Sequence, residues 1–316
     1  MKAIACLLIF VHHFYMHNSG VVQILGIWMV SVFFFFSAYG LCFSLEKNIG
    51  FAEYLKKRIS KVWIPYLLVN LLTIICCHGR IPVFNTDNQI AEFIEAPTII
   101  HYIKYITGIS MIDSIMWFLN VLLLFYVLIF FMKYFKSPSW KIIYIFAVTL
   151  IYIAVAFTFK TGFYTYTGIL GFPLGVLAFY IKYKTETLNS VFFKIVGGLS
   201  IALLIGSIVF CVYKQSNNVR LLADYGSNYL LIICSCFLLY WFRNSFLGKE
   251  TRSFLFLGVI SYEFYLVHMK VIVFFNTALP EAIETIWYNP ILLMFISIVI
   301  ATAVHALLNQ IYKLIK

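Results

Sequence analysis

The chain has 316 residues, 63% hydrophobic and only 11% charged, with a mean hydropathy of +0.95 and a formal charge of +11. Soluble domains carry about a quarter charged residues, and a chain with 33 Phe and 22 Tyr cannot cover itself with a water-wetted surface, so a soluble protein is excluded. A nucleic-acid binder is excluded too, because the basic residues flank apolar runs in short groups instead of forming one soluble face.

Membrane spans are runs of about 20 apolar residues. The sequence predicts about ten, over 3–17, 21–45, 62–78, 114–132, 142–159, 165–181, 191–213, 228–242, 254–276 and 290–312. The first reads as a retained helix and not a signal peptide. Only Lys2 precedes it, it contains His12 and His13, and no small-x-small cleavage site follows. An even number of spans puts both termini on one side. With the N-terminus inside, seventeen basic residues fall inside and five (Arg80, Lys104, Lys160, Lys214, Arg220) outside, with Lys270 within a span. Seven of the twelve acids fall outside. The positive-inside rule then predicts cytoplasmic termini. The expected fold class is an all-α membrane protein, a polytopic bundle in the cell (inner, cytoplasmic) membrane. It is read as a single domain over 1–316 with no soluble domain.

Two segments between spans stand out. The outer one, 79–113, is long and carries Pro82, Pro97 and scattered acids; loops of that length are usually functional or mobile. The inner one, 46–61, is short and densely basic. The seven cysteines (Cys6, Cys42, Cys76, Cys77, Cys211, Cys234, Cys236) lie in or beside apolar segments, as small hydrophobes do, so structural disulfides are not expected. No CxxC…CxxC or HExxH pattern occurs, so no metal site is expected.

Ionisable residues inside spans are costly, which makes each one a candidate. Lys2 and His13 are eleven residues apart, close to three helical turns, so they share a face with His13 about 16 Å deeper. This arrangement suits a long anionic acyl donor. The rim cation would hold phosphate, while the imidazole, well matched to general-base work near neutral pH, meets the thioester. The alternative is a snorkelling lysine and a histidine hydrogen-bonded within the bundle. His12 points about 100° away and His17 lies one turn further out; both are secondary. In the second span Ser37, Ala38 and Gly40 follow four phenylalanines, a pattern that permits close helix approach. The inner run Lys56, Lys57, Arg58 and Lys61 is either topogenic or a grip for a phosphate-bearing ligand. In the ninth span Ser261, Tyr265 and His268 form one polar stripe at i, i+4 and i+7. Glu263 and Lys270 share another face, where they would partly offset each other. Interhelical hydrogen bonding is the plainer reading of that stripe.

In this order these segments resemble acyltransferase family 3, integral-membrane enzymes that mostly O-acetylate carbohydrates. Lys2-x10-His13 resembles the family's Arg/Lys-x10-His, and Phe33-Phe34-x2-Ser37-Ala38 its Phe-Phe-x-x-Ser-Gly. Arg58-x2-Lys61-x3-Pro65 is similar to Arg-x2-Arg-x3-Pro, and Ser261-Tyr262-x2-Tyr265-Leu266-x-His268 to the late Ser-Tyr-x-x-Tyr-Leu-x-His. Trp117-Phe118-Leu119 and Phe125-Tyr126 resemble the fourth-helix pattern. Ala38 stands where Gly is usual and Lys61 where a second Arg is usual. Leu122 and Leu123 stand where the subgroup fused to an esterase-like domain carries acids. The short cytoplasmic lead that usually precedes the first motif is missing, which points to a start upstream of Met1.

The resemblance implies a ten-helix bundle that takes an acyl group, most often acetyl, from cytoplasmic acyl-CoA. It passes that group to a hydroxyl of a cell-surface glycan or lipid-linked saccharide. Acyl-CoA is then a co-substrate, with no permanently bound cofactor. The expected partners are acyl-CoA, the acceptor and the lipid bilayer, with no nucleic acid. His13 would be catalytic and Lys2, Arg58 and Lys61 would hold the donor, supported by Ser37, Trp117, Ser261, Tyr262, Glu263, Tyr265 and His268. Two other readings stay open. A secondary transporter would use the Gly168-x2-Gly171-Phe172-Pro173-x-Gly175 stretch as a broken helix, although no partner for it is found in the other half. A polysaccharide polymerase or export component would handle glycans through its outer segments.

Overall fold

The computed structural model describes residues 2–15, 20–47, 49–84, 91–95, 98–107, 117–159, 166, 168–184, 252–278 and 289–314. The predicted spans 191–213 and 228–242 lie outside the described residues. Helix α1 covers Lys2–Phe14, α2 Gly20–Leu45 and α3 Phe51–Cys76. A hairpin of β1 (Arg80–Phe84) and β2 (Ala91–Glu95) follows, and then a short α4 (Ile99–Thr107). Helix α5 (Trp117–Phe130) tightens into a 3-10 turn at Phe131–Tyr134 and leads to α6 (Pro138–Thr158) and α7 (Gly171–Lys184). The C-terminal elements are α8 (Arg252–Val259), α9 (Ser261–Ala278) and α10 (Asn289–Leu314). Among the described residues five helical stretches are long and apolar enough to cross a bilayer: Trp28–Leu45, Phe51–Cys76, Trp117–Tyr134, Pro138–Thr158 and Asn289–Leu314. The chain is a helical, multi-pass membrane protein.

Side-chain contacts fix the helix directions. Phe10 meets Phe264 and His13 meets His268, so α1 and α9 run parallel. The Tyr262 hydroxyl donates to the Val62 carbonyl at 2.7 Å, which sets α9 beside α3. Helix α10 comes back antiparallel: His305 meets Glu263, and the Tyr312 hydroxyl donates to the Ser60 carbonyl at 3.0 Å. Lys2, Lys61 and Lys313 therefore lie toward one end of the bundle, hereafter the basic end. Helices α2, α5 and α7 run the other way, from the opposite end toward the basic end. Phe34 meets Phe118, the Tyr54 hydroxyl donates to the Tyr126 carbonyl at 3.1 Å, and Phe179 packs on Tyr39 and Phe43.

Three sequence expectations are revised. The basic run is not a loop. Helix α3 starts at Phe51, so Lys56, Lys57, Arg58 and Lys61 ride on its first turns, and only 46–50 connects it to α2. The long outer segment is folded where it is described. Left-handed backbone at His78 (φ 53) and Gly79 (φ 83) ends α3, with the Gly79 amide donating to the Ile74 carbonyl at 2.8 Å. The hairpin then pairs Arg80 with Glu95 and Phe84 with Ala91. The ninth span bends at Ile260, where the Ser261 hydroxyl donates to the Gly258 carbonyl at 2.9 Å.

The tightest packing lies between α2 and α7. A Cβ on Gly171 would collide with the Ser31 carbonyl, and one on Gly175 with the Phe35 carbonyl. Glycine at both positions lets the two backbones touch, the small-xxx-small arrangement that substitutes in lipid for a hydrophobic driving force. Within the Gly/Pro stretch, Gly171 and Gly175 thus form a packing surface on the helix running from Gly171 to Lys184, which a turn at 168–170 precedes. Ala38, where the family pattern has Gly, faces Gly175, and that glycine leaves room for its methyl.

Candidate active site

His13 lies in the last turn of α1, and its ring centroid is 5.3 Å from that of His268 on α9. His268 is 0% exposed. Its Nδ1 lies 3.1 Å from the Phe264 carbonyl. A carbonyl only accepts, so Nδ1 carries the hydrogen and Nε2 is the lone-pair nitrogen of the neutral ring. Buried His13 Nδ1 has no hydrogen-bond partner among the described residues. The pocket wall is aromatic: Phe264 stacks on His268 at 5.8 Å, Phe10 stands 6.4 Å away, and Tyr265 is 5.8 Å from the same ring. His12 contacts His13 edge-on at 4.8 Å and rests in the notch left by Gly26 of α2.

At the basic end Arg58 turns inward. Its Nη2 hydrogen-bonds the Ser44 hydroxyl of α2, and its guanidinium lies 5.5 Å from the Tyr54 ring. The buried Nε has no partner among the described residues. Ser37 of α2 and Arg58 of α3 both act on the Tyr126 hydroxyl of α5. Ser37, Tyr126 and Arg58 thus form a polar patch between α2, α3 and α5. Lys2 and Lys61 are exposed. Pro65 has no N–H, so within α3 the Lys61 carbonyl loses its usual helical partner. On either side of it, Ser60 and Val62 receive the hydroxyls of Tyr312 and Tyr262.

The depths agree from two directions. Lys2 is about 16 Å below His13 along α1. Arg58 is four residues below Val62 and His268 six beyond Tyr262, which puts His268 roughly 15 Å from Arg58 along the axis. Basic rim and imidazole pair are separated by the same depth on separate helices.

The other expected residues scatter around this frame. Tyr265 is buried, its ring edge-on to Phe118 at 5.5 Å. Trp117 opens α5 and contacts Phe118 at 6.2 Å. The Ser261 hydroxyl donates to the Gly258 carbonyl three residues back, and His268 Nδ1 to the Phe264 carbonyl one turn back. Glu263 and Lys270 each meet a residue of another helix. Glu263, 7% exposed, accepts from His305 Nδ1 at 2.7 Å, while Lys270 reaches over the Tyr105 ring at 5.9 Å. Sequence reasoning missed His305, Ser44 and Asn70, whose amide donates to the Tyr105 carbonyl of α4 at 2.9 Å, and it named Tyr126 only within the fourth-helix pattern. An ionisable residue inside an apolar helix was the available signal for His305.

Among the described residues no group of three or more His, Cys, Asp or Glu is placed to hold a metal ion. The arrangement puts cations at one end and brings two imidazoles side by side deeper in. A family model described as an acyltransferase domain matches residues 1–309. No curated protein and no solved structure matches the chain. With Lys2-x10-His13, the Arg58–Lys61 turn and the His268 helix inside that match, the chain belongs to acyltransferase family 3.

Proposed function

We propose that this membrane acyltransferase moves an acyl group, acetyl in the first instance, from cytoplasmic acyl-CoA to a hydroxyl of a cell-surface glycan or lipid-linked saccharide. The observation that carries the reading is the His13–His268 pair, 5.3 Å between ring centroids, set about 15–16 Å along the helix axes from Lys2 of α1 and the inward-turned Arg58 of α3. Donor phosphates bind at Lys2, Arg58 and Lys61 through charge-assisted hydrogen bonds, and the thioester lies beside His13. His13 takes the proton of the acceptor hydroxyl as its oxygen attacks the thioester carbonyl. The C–S bond breaks, an ester forms, and the proton passes to the leaving thiolate. His268 shares the proton in between through its Nε2. The test is acyl-CoA turnover by purified protein in lipid, with candidate glycans as acceptors. Wild-type protein that releases no CoA with any acceptor would overturn the reading.

Arg58→Ala and Lys61→Ala are expected to raise the KM for acyl-CoA about tenfold or more without changing the KM for the acceptor, each through loss of one charge-assisted contact. The inward-turned Arg58 should show the larger effect. Variants that keep wild-type donor affinity but insert inverted would make the run topogenic only.

The fold is read as ten spans of a single domain, its basic end in the cytoplasm of a multi-pass inner-membrane protein. In a chain freed of native cysteines, Thr98→Cys should label with an impermeant thiol reagent on intact cells and Lys57→Cys only after permeabilisation. The reverse pattern would invert the orientation.

A further inference from the structure

We infer that Glu263 of α9 and His305 of α10 are positioning residues for acyl transfer. Their hydrogen bond closes a three-helix frame that fixes the rotation of α9 and so sets His268 against His13. This role rests on the acyl-transfer reading above and adds how its imidazole pair is held in place.

The frame consists of three bonds that tie three helices pairwise. The Tyr262 hydroxyl of α9 donates to the Val62 carbonyl of α3 at 2.7 Å. The Glu263 carboxylate of α9 accepts from His305 Nδ1 of α10, also at 2.7 Å. The Tyr312 hydroxyl of α10 donates to the Ser60 carbonyl of α3 at 3.0 Å, which closes the loop. Glu263 reaches the other corners as well, since its charge acts on the hydroxyls of both Tyr262 and Tyr312. It is only 7% exposed. A carboxylate at such a place is costly even when hydrogen-bonded, and plain apolar packing of α9 on α10 would avoid that cost.

Three consecutive residues send the first turn of α9 to three different helices. Successive residues of an α-helix lie about 100° apart around its axis. Tyr262 goes to α3, Glu263 to α10 and Phe264 to α1, where its ring centroid is 6.2 Å from that of Phe10. A helix held on three sides cannot turn about its axis without breaking one of these contacts. The imidazole pair belongs to the third side. Phe264 stacks on His268 with 7° between ring planes, and its carbonyl accepts from His268 Nδ1. The setting of Phe264 is therefore handed on to the imidazole one turn above it. The chain bends at Ile260, just before this turn, so α9 takes its rotation from its own contacts more than from α8.

The lever arm gives the expected size of the effect. Side chains ride about 5–6 Å from a helix axis, so a turn of α9 by about 20° would shift the His268 ring by about 2 Å. A misplacement of about 1 Å can cost roughly 10²-fold in rate. Glu263 is five residues before His268, about 7.5 Å lower along the axis, and it faces α10. It therefore acts through α9 and not on the reacting groups. The donor's inward-turned cation is held by other partners, Arg58 by Ser44 and Tyr54. Loss of the frame should thus lower kcat and spare donor affinity.

The test compares Glu263→Met with Glu263→Gln in purified full-length protein in lipid. Acetyl-CoA is the donor, and free and polyprenyl-pyrophosphate-linked disaccharides are the acceptors. Both replacements match glutamate in length, but only glutamine keeps an oxygen to which His305 can donate. Glu263→Met should lower kcat about tenfold to 10²-fold at unchanged KM for acetyl-CoA, whereas Glu263→Gln should stay within about threefold of wild type. A second readout needs no turnover. In a chain freed of native cysteines, His13→Cys combined with His268→Cys should cross-link with a short bifunctional thiol reagent. Adding Glu263→Met should lower the yield, and Glu263→Gln in its place should restore it. Equal kcat and equal cross-linking in the two variants, or a kcat that only follows the folded fraction, would overturn the positioning role while leaving acyl transfer intact. A raised KM for acetyl-CoA at wild-type kcat would also overturn it, by placing the pair in the donor site. Wild-type protein that cross-links as expected but releases no CoA would overturn the acyl-transfer reading and the positioning role with it, while the frame stands. If Glu263→Met does not insert, Tyr312→Phe opens the same frame by one hydroxyl and should lower kcat and cross-linking together.

Discussion

His13→Ala is expected to reduce acyl transfer by about 10²–10⁴-fold, the usual contribution of a general base, while the protein inserts and folds as wild type. Alanine is at home in an apolar helix. The change strands no hydrogen-bond partner either, since His13 Nδ1 has none among the described residues. His12→Ala should be far milder for the chemistry. Its ring fills the notch beside Gly26, so its loss costs packing between α1 and α2. His268→Ala should slow transfer too, and His268→Gln should recover little, because an amide cannot act as a base. Lys2→Ala should raise the donor KM more than it slows turnover, with Lys2→Arg largely tolerated. Steady-state CoA release, read alongside the thermal transition of each variant, separates these outcomes. Full acylation by His13→Ala, or an indispensable His12, would sink the assignment.

The part of this site that repeats along one helix was legible in the sequence. Eleven residues between Lys2 and His13 put them on one face at a calculable depth, and the same rule gave the 261/265/268 stripe. The part that depends on which helices meet was not. His268 is a histidine in an apolar helix until Phe10 and His13 of α1 are set against it. Spacing paired Glu263 with Lys270 on its own helix, whereas the return of α10 brings His305 to it from 42 residues away. In the basic run, periodicity could not say which cation turns inward; Ser44 and Tyr54 decide for Arg58. The outer segment was read as a loop because two five-residue strands and a nine-residue helix are shorter than any span. Its order comes from tyrosines and an asparagine meeting backbone carbonyls across elements, and hydropathy carries no trace of such bonds.

Gly171→Val and Gly175→Val should cost more stability than any other glycine change in the described helices. The atoms that a Cβ would strike are the backbone carbonyls of Ser31 and Phe35, which cannot rotate aside, so α2 and α7 must separate along their length. Separation also loosens Phe179 from Tyr39 and Phe43, now 5.9 and 4.9 Å away between ring centroids. Overpacking of this kind costs about 1–3 kcal/mol at each site. The two sites press on one partner helix, so the double variant should fall short of the sum. Gly168→Ala should be gentler, because its nearest neighbour is the Ser31 hydroxyl at 3.2 Å, a side-chain atom at a wider distance and not a backbone carbonyl. Gly40→Ala is the control: no atom lies within 4 Å, and alanine is the better helix former. Thermal unfolding in lipid checks the order. If these glycines formed a hinge, the valine variants would alter turnover at unchanged stability. If they are the contact surface between α2 and α7, stability falls first, and turnover follows only as the folded fraction is lost.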